Sequence, residues 1–79
     1  MDKEFFDKLE AKYPDLTPNE KILCALVHLN LNAKEIASIT SRTYRSVSMA
    51  KTRLKKKFGC PPDRRLYDFL MQLQRAIHD

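Results

Sequence analysis

At 79 residues and a net charge of +5, the chain has room for one small domain, and it is too short for a second domain or for an enzyme that must also build a pocket. A single Gly, four Pro and no Trp disfavour a multi-stranded sheet and favour helices, while 43% hydrophobic and 32% charged residues argue against a disordered tail. No apolar run reaches the roughly 20 residues of a membrane span, and the opening MDKEFFDKLE lacks the order of a secretion signal, so the expected location is cytoplasmic.

Residues 2–13 are predicted to form a short helix, with Phe5, Phe6, Leu9 and Tyr13 on one face and Asp2, Glu4 and Asp7 early, where the helix dipole favours anions. It ends near Tyr13-Pro14, because proline disfavours a helical residue before it. In Leu16-Thr17-Pro18-Asn19-Glu20, Thr17 is an N-cap, Pro18 suits the first helical position and Glu20 completes a capping box. The helix that follows, about 18–29, carries Ile22, Ala25, Leu26 and Leu29 on one face, with Leu23, Cys24 and Val27 beside them. It is predicted to be buried nearly all round.

Asn30-Leu31-Asn32 breaks that helix, and Asn32 caps a short one, about 33–40, expected to bury Ile36, Ala37 and Ile39. Thr43 caps a fourth, about 44–58, with Val47, Ala50 or the stem of Lys51, Leu54 and Phe58 inward and Gly59 as its stop. Cys60-Pro61-Pro62 forces an extended link to a last helix, about 62–77, with Leu66, Phe69, Leu70, Leu73 and Ile77 at helical spacing. The expected fold is all-α: one five-helix, bundle-like domain over 1–79, containing a helix-turn-helix and no winged elements. Within it, 2–15 is a linker-like helix, 16–60 the helix-turn-helix core and 61–79 the C-terminal helix.

The charge is localised. From Arg42 to Arg65, nine Lys or Arg stand against one acid, Asp63, whereas the rest of the chain has six basic and nine acidic residues. A basic stripe on a small domain is the footprint of a phosphate-backbone partner; a solvated, solubilising helix face is the plain alternative. Cys24 and Cys60 make neither a disulfide framework nor a metal spacing. Cys24 and His28 stand four apart, as two metal ligands can, but no second pair completes a tetrahedral set, so neither metal nor cofactor is expected. With no Ser-His-Asp candidate and no Gly-rich loop, catalysis is not expected either.

A short helix, a tight turn and a longer basic helix over 33–58 follow the order of a helix-turn-helix. Leu16-Thr17-Pro18 with Glu20, then Lys34-Glu35-Ile36-Ala37, Ser46-Val47, Leu54 and Lys57-Phe58 resemble the LuxR-type helix-turn-helix domain of bacterial transcription regulators, over residues 16–70. The same elements are similar to region four of sigma factors, with the LTPNE opening favouring the first family. Arg42 departs from the apolar residue usual before the cap, and Ala50 stands where many members have His.

The resemblance implies double-stranded DNA as partner, transcription regulation as role and RNA polymerase as a further partner. Its groove-facing positions correspond to Ser48, Met49 and Thr52, which would meet base edges. Lys34, Arg45, Ser46, Arg53, Lys55 and Lys56 are phosphate candidates. Met49 is otherwise a core residue, the lysines otherwise solubilising, and Tyr44 otherwise a packing residue. A homodimer through Tyr67, Leu70 or Met71 of the last helix is expected from its excess of apolar residues. The alternative function is a helical protein-interaction module whose basic helix binds an acidic partner.

Overall fold

Helices α1 (Lys3–Lys12), α2 (Pro18–His28), α3 (Ala33–Thr40), α4 (Tyr44–Phe58) and α5 (Leu66–His78) make up the chain in a computed structural model that describes residues 3–78, with side chains as far as Arg75. The fold is all-α. The expectations for Asp2 and Ile77 lie outside the described side chains.

The helix starts are set by local chemistry. Thr17 Oγ1 accepts from the Glu20 N–H at 3.2 Å and Glu20 Oε1 accepts from the Thr17 N–H at 2.9 Å, so both halves of the capping box are made. Asn32 and Glu35 form a second capping box, with both bonds at 2.9 Å. Thr43 Oγ1 accepts from the Ser46 N–H at 3.0 Å and opens α4, which Gly59 closes at φ +71°. Ser41 ends α3 in the left-handed region, at φ 57°, and so makes the tight turn between α3 and α4. An L residue is strained there by about 1 kcal/mol, so Ser41→Gly is expected to stabilise the fold by up to that amount, less the extra chain entropy of glycine, in urea melts.

The core gathers one stripe from every helix: Phe5 and Leu9 of α1, Cys24 and Val27 of α2, Ile36 of α3, Val47 and Leu54 of α4, Leu66 and Leu70 of α5. Tyr13, Phe58 and Phe69 lie in a row, Tyr13 tilted against Phe58 at a centroid distance of 4.6 Å and Phe58 stacked on Phe69 at 5.7 Å. Phe5 stacks on the His28 ring at 4.9 Å, and His28 Nε2 meets Gln74 Oε1 at 2.7 Å, joining α1, α2 and α5. Phe5 and Leu9 are fully buried, so α1, within the stretch 2–15 expected as a linker-like helix, contributes to the core.

Other expectations change as well. Ile22, Leu29 and Ile39 are 53%, 55% and 61% exposed, not buried. The eight-residue α3 is covered on one face only, by Ile36 and Ala37, and α2 is covered where it meets α4 and α5, leaving the Ile22–Leu29 side open. Helix α5 begins at Leu66, four residues later than the sequence predicts. The Arg64 N–H bonds the Pro61 carbonyl at 3.0 Å and closes a turn first, and the Arg65 carbonyl then takes the Phe69 N–H at 3.1 Å. Leu70 is fully buried and so cannot form a dimer contact, while Tyr67 and Met71 are half-buried. The apolar excess of α5 is taken up by its packing on α1 and α2 and by Phe69 on Phe58.

Candidate nucleic-acid interface

Helix α3 packs on α4 more extensively than any other pair of helices, through Ile36 and Ala37 against the Val47 side. With Val47, Leu54 and Phe58 turned inward, the helical period sends Arg45, Met49, Thr52 and Lys56 outward, and all four are exposed. Ser48 is half-buried at one edge of this face. Ser48, Met49, Thr52 and Arg53 line one shallow recess on the helix, so the three base-reading candidates and a phosphate candidate are neighbours. Met49 is 51% exposed and is not a core residue. The Thr52 hydroxyl donates to the Ser48 carbonyl at 3.0 Å, which leaves its oxygen as an acceptor for a base amino group.

The phosphate candidates divide. Lys34, Arg45, Ser46, Arg53 and Lys56 are exposed, with Ser46 and Arg45 in the first turn of α4. Lys55 is half-buried and donates to the Pro62 carbonyl at 2.9 Å, so it braces the turn before α5 before it can serve a phosphate. Among the described residues, ion pairs join Lys8 to Glu4, Lys21 to Glu10 and Lys57 to Glu20, and none engages Arg45, Lys51, Arg53, Lys55 or Lys56. The outward face of α4 therefore keeps its charge uncompensated.

Comparison with known proteins finds no matching family model, curated protein or solved structure. The functional reading rests on the chain's own geometry.

Lys57 has a structural role that its place in a run of lysines conceals. Its Nζ lies 2.8 Å from Glu20 Oε1 and 3.0 Å from the Asp15 carbonyl oxygen, pinning the end of α4 to the start of α2. The hydrogen bond from Lys57, then that from the Thr17 backbone, holds the Glu20 carboxyl below its ordinary range, and the Glu20 bond in turn raises Lys57. A carboxyl lowered by folding stabilises above its unfolded value of about 4.3 and loses that contribution as pH falls through the lower folded value. Lys57, raised by folding, contributes at every pH below its ordinary range and loses this only as pH rises through the raised value. Urea melts of the wild type and Lys57→Met between about pH 3 and 7 are expected to draw closer toward the acid end, where protonation removes the Glu20 charge and leaves Lys57 its bond to the Asp15 carbonyl. A constant gap across that range would remove the pair from the account.

Cys24 is fully buried, and burial, followed by the Glu20 charge, pushes its thiol up to about 12. With His28 stacked on Phe5 and bonded to Gln74, these two residues serve packing. Among the described residues, no cluster of three His, Cys, Asp or Glu could hold a metal, and no helix is long and apolar enough to cross a membrane.

Proposed function

We propose that this chain binds double-stranded DNA in a sequence-selective manner in transcription regulation, with α4 in the major groove and α3 bracing it. The observation that carries the reading is the outward face of α4: an exposed apolar and hydroxyl set, Met49 and Thr52, flanked by Arg45, Arg53 and Lys56 with no acid paired to them. Met49 suits a thymine methyl, and the Thr52 oxygen suits a base amino group. This set holds no Arg or Asn placed for bidentate readout, so selectivity is expected to be modest, with backbone contacts and duplex shape supplying much of the affinity.

Selection from a randomised duplex pool, followed by fluorescence anisotropy at about 50 and 200 mM salt, tests this directly. Enrichment of a motif with a steep salt dependence is the expected result. A two-fold symmetric motif would call for two copies, checked by sedimentation with the selected duplex, and would make contact with RNA polymerase the next question. Salt-sensitive binding without enrichment would reduce α4 to a general polyanion binder. Binding to acidic proteins but not to DNA would move the function to a protein-interaction module.

A further inference from the structure

Beside the outward face of α4 lies a second basic feature, which shares Lys34 and Lys55 with the phosphate candidates of the helix-turn-helix and adds Lys51 and Arg65. A cleft of about 560 Å3 opens between the first turn of α3, one edge of α4 and the start of α5, lined by Lys34, Tyr44, Lys51, Lys55, Arg65 and Tyr67 over an apolar floor. Four cations, from α3, α4 and the segment before α5, line it, and among the described residues no Asp or Glu does. The Asn32–Glu35 capping box takes up the N–H groups of Asn32 and Glu35, so those of Ala33 and Lys34, at the cleft wall, remain as donors.

A solvated lysine face would turn its ammonium groups outward, but Lys51 is half-buried in this cleft and takes part in no ion pair among the described residues. Burial first, then the charges of Arg65 and Lys55, disfavour its charged form. Tyr44, 58% exposed at the rim, offers a free ring face, and the Arg65 guanidinium stands 5.8 Å from the Tyr67 ring. The volume falls within the range of about 300–1,000 Å3 typical of small-molecule sites.

We propose that this cleft is a binding site for a small phosphorylated ligand of the size and chemistry of a nucleoside diphosphate. Lys34, Lys51 and Arg65 meet the phosphates and the Tyr44 ring meets the base. A ligand seated there touches α3, α4 and α5 together, so its occupancy also sets how firmly α4 is held. The assignment uses the edge of α4 that the outward face leaves free, and of the three phosphate-binding side chains it shares only Lys34 with the DNA phosphate candidates.

The test is a titration of the 15N-labelled chain with ADP, and separately with inorganic pyrophosphate, followed by NMR. Saturable shifts confined to the amides of Ala33, Lys34, Lys51 and Leu66 are expected. Lys51→Met should weaken both ligands about tenfold, the worth of one charge-assisted hydrogen bond, without lowering the melting temperature. Tyr44→Leu should weaken ADP and leave pyrophosphate unchanged, and Lys34→Gln, at an exposed site, repeats the affinity test should Lys51→Met fail to fold. Shifts that grow linearly over the whole basic surface, or an unchanged ADP affinity in both charge variants, would overturn the proposal. So would saturation of the same amides by a DNA duplex but not by ADP, which would return the cleft to the phosphate backbone.

Discussion

Leu54→Ala is expected to remove a large part of the stability of this domain, at about 3–5 kcal/mol, whereas Ile39→Ala is expected to stay within about 0.5 kcal/mol of the wild type. Leu54 is fully buried in the middle of α4, so truncation removes its transfer free energy and leaves a cavity among neighbours drawn from several helices. Ile39 is 61% exposed on α3 and loses little. A domain of 79 residues has about 4–12 kcal/mol to lose at typical values per residue, so the first variant loses about half of it at the middle of both ranges. Urea melts followed by circular dichroism distinguish the two cases. Similar losses for both would mean that α3 packs through Ile39 after all.

That contrast marks how far the sequence can be read. Helix starts were legible because their signals are local: Thr17 with Glu20, Asn32 and Thr43 each act on backbone groups within three residues, and Gly59 stops α4 where it stands. Inward faces were legible on α4, where polar and apolar residues alternate at the helical period. On α2 and α3 the apolar residues extend beyond one face, and which of them is covered depends on where the neighbouring helices lie, which periodicity does not state. Ile22, Leu29 and Ile39 are exposed for this reason, and Leu70, which the spacing offers both to the core and to a dimer contact, is buried. Helix α5 starts later than its apolar spacing predicts because the Pro61–Arg64 turn competes with the helix for the same residues.

The candidate interface follows the same division. Spacing on α4, with Val47, Leu54 and Phe58 inward, assigns Arg45, Ser48, Met49, Thr52, Lys55 and Lys56 outward; Arg45, Met49, Thr52 and Lys56 are exposed, whereas Ser48 and Lys55 are half-buried. Lys57 and Lys51 could not be told from their neighbours, since a run of lysines looks uniform. Asp15 and Glu20, which hold Lys57, are 42 and 37 residues away, and the partners that crowd Lys51 include Arg65 across the cleft. Each lysine in the 55–57 run is thus given a separate task by its azimuth: one braces the following turn, one faces solvent, and one clamps α2.

Those separate tasks make the second large prediction specific. Replacing Arg45, Arg53 and Lys56 together by Ala is expected to weaken binding to every duplex sequence and to lower the salt slope by about 2.7, since each phosphate neutralised contributes about 0.9. Between 50 and 200 mM salt, the wild type would then lose about 40-fold more affinity than the triple variant does. All three side chains are exposed and in no ion pair among the described residues, so the fold is expected to survive and the loss to be one of binding. Thr52→Ala provides the opposite signature: an altered base preference with the slope unchanged, because it touches no phosphate. Anisotropy titrations on the selected duplex and on a scrambled one measure both quantities at once. A triple variant that kept the full slope would move the phosphate contacts off α4, and with them the case for this helix in the groove. A Thr52→Ala variant that lost affinity for both duplexes equally would leave the helix as a charged strut that reads no sequence.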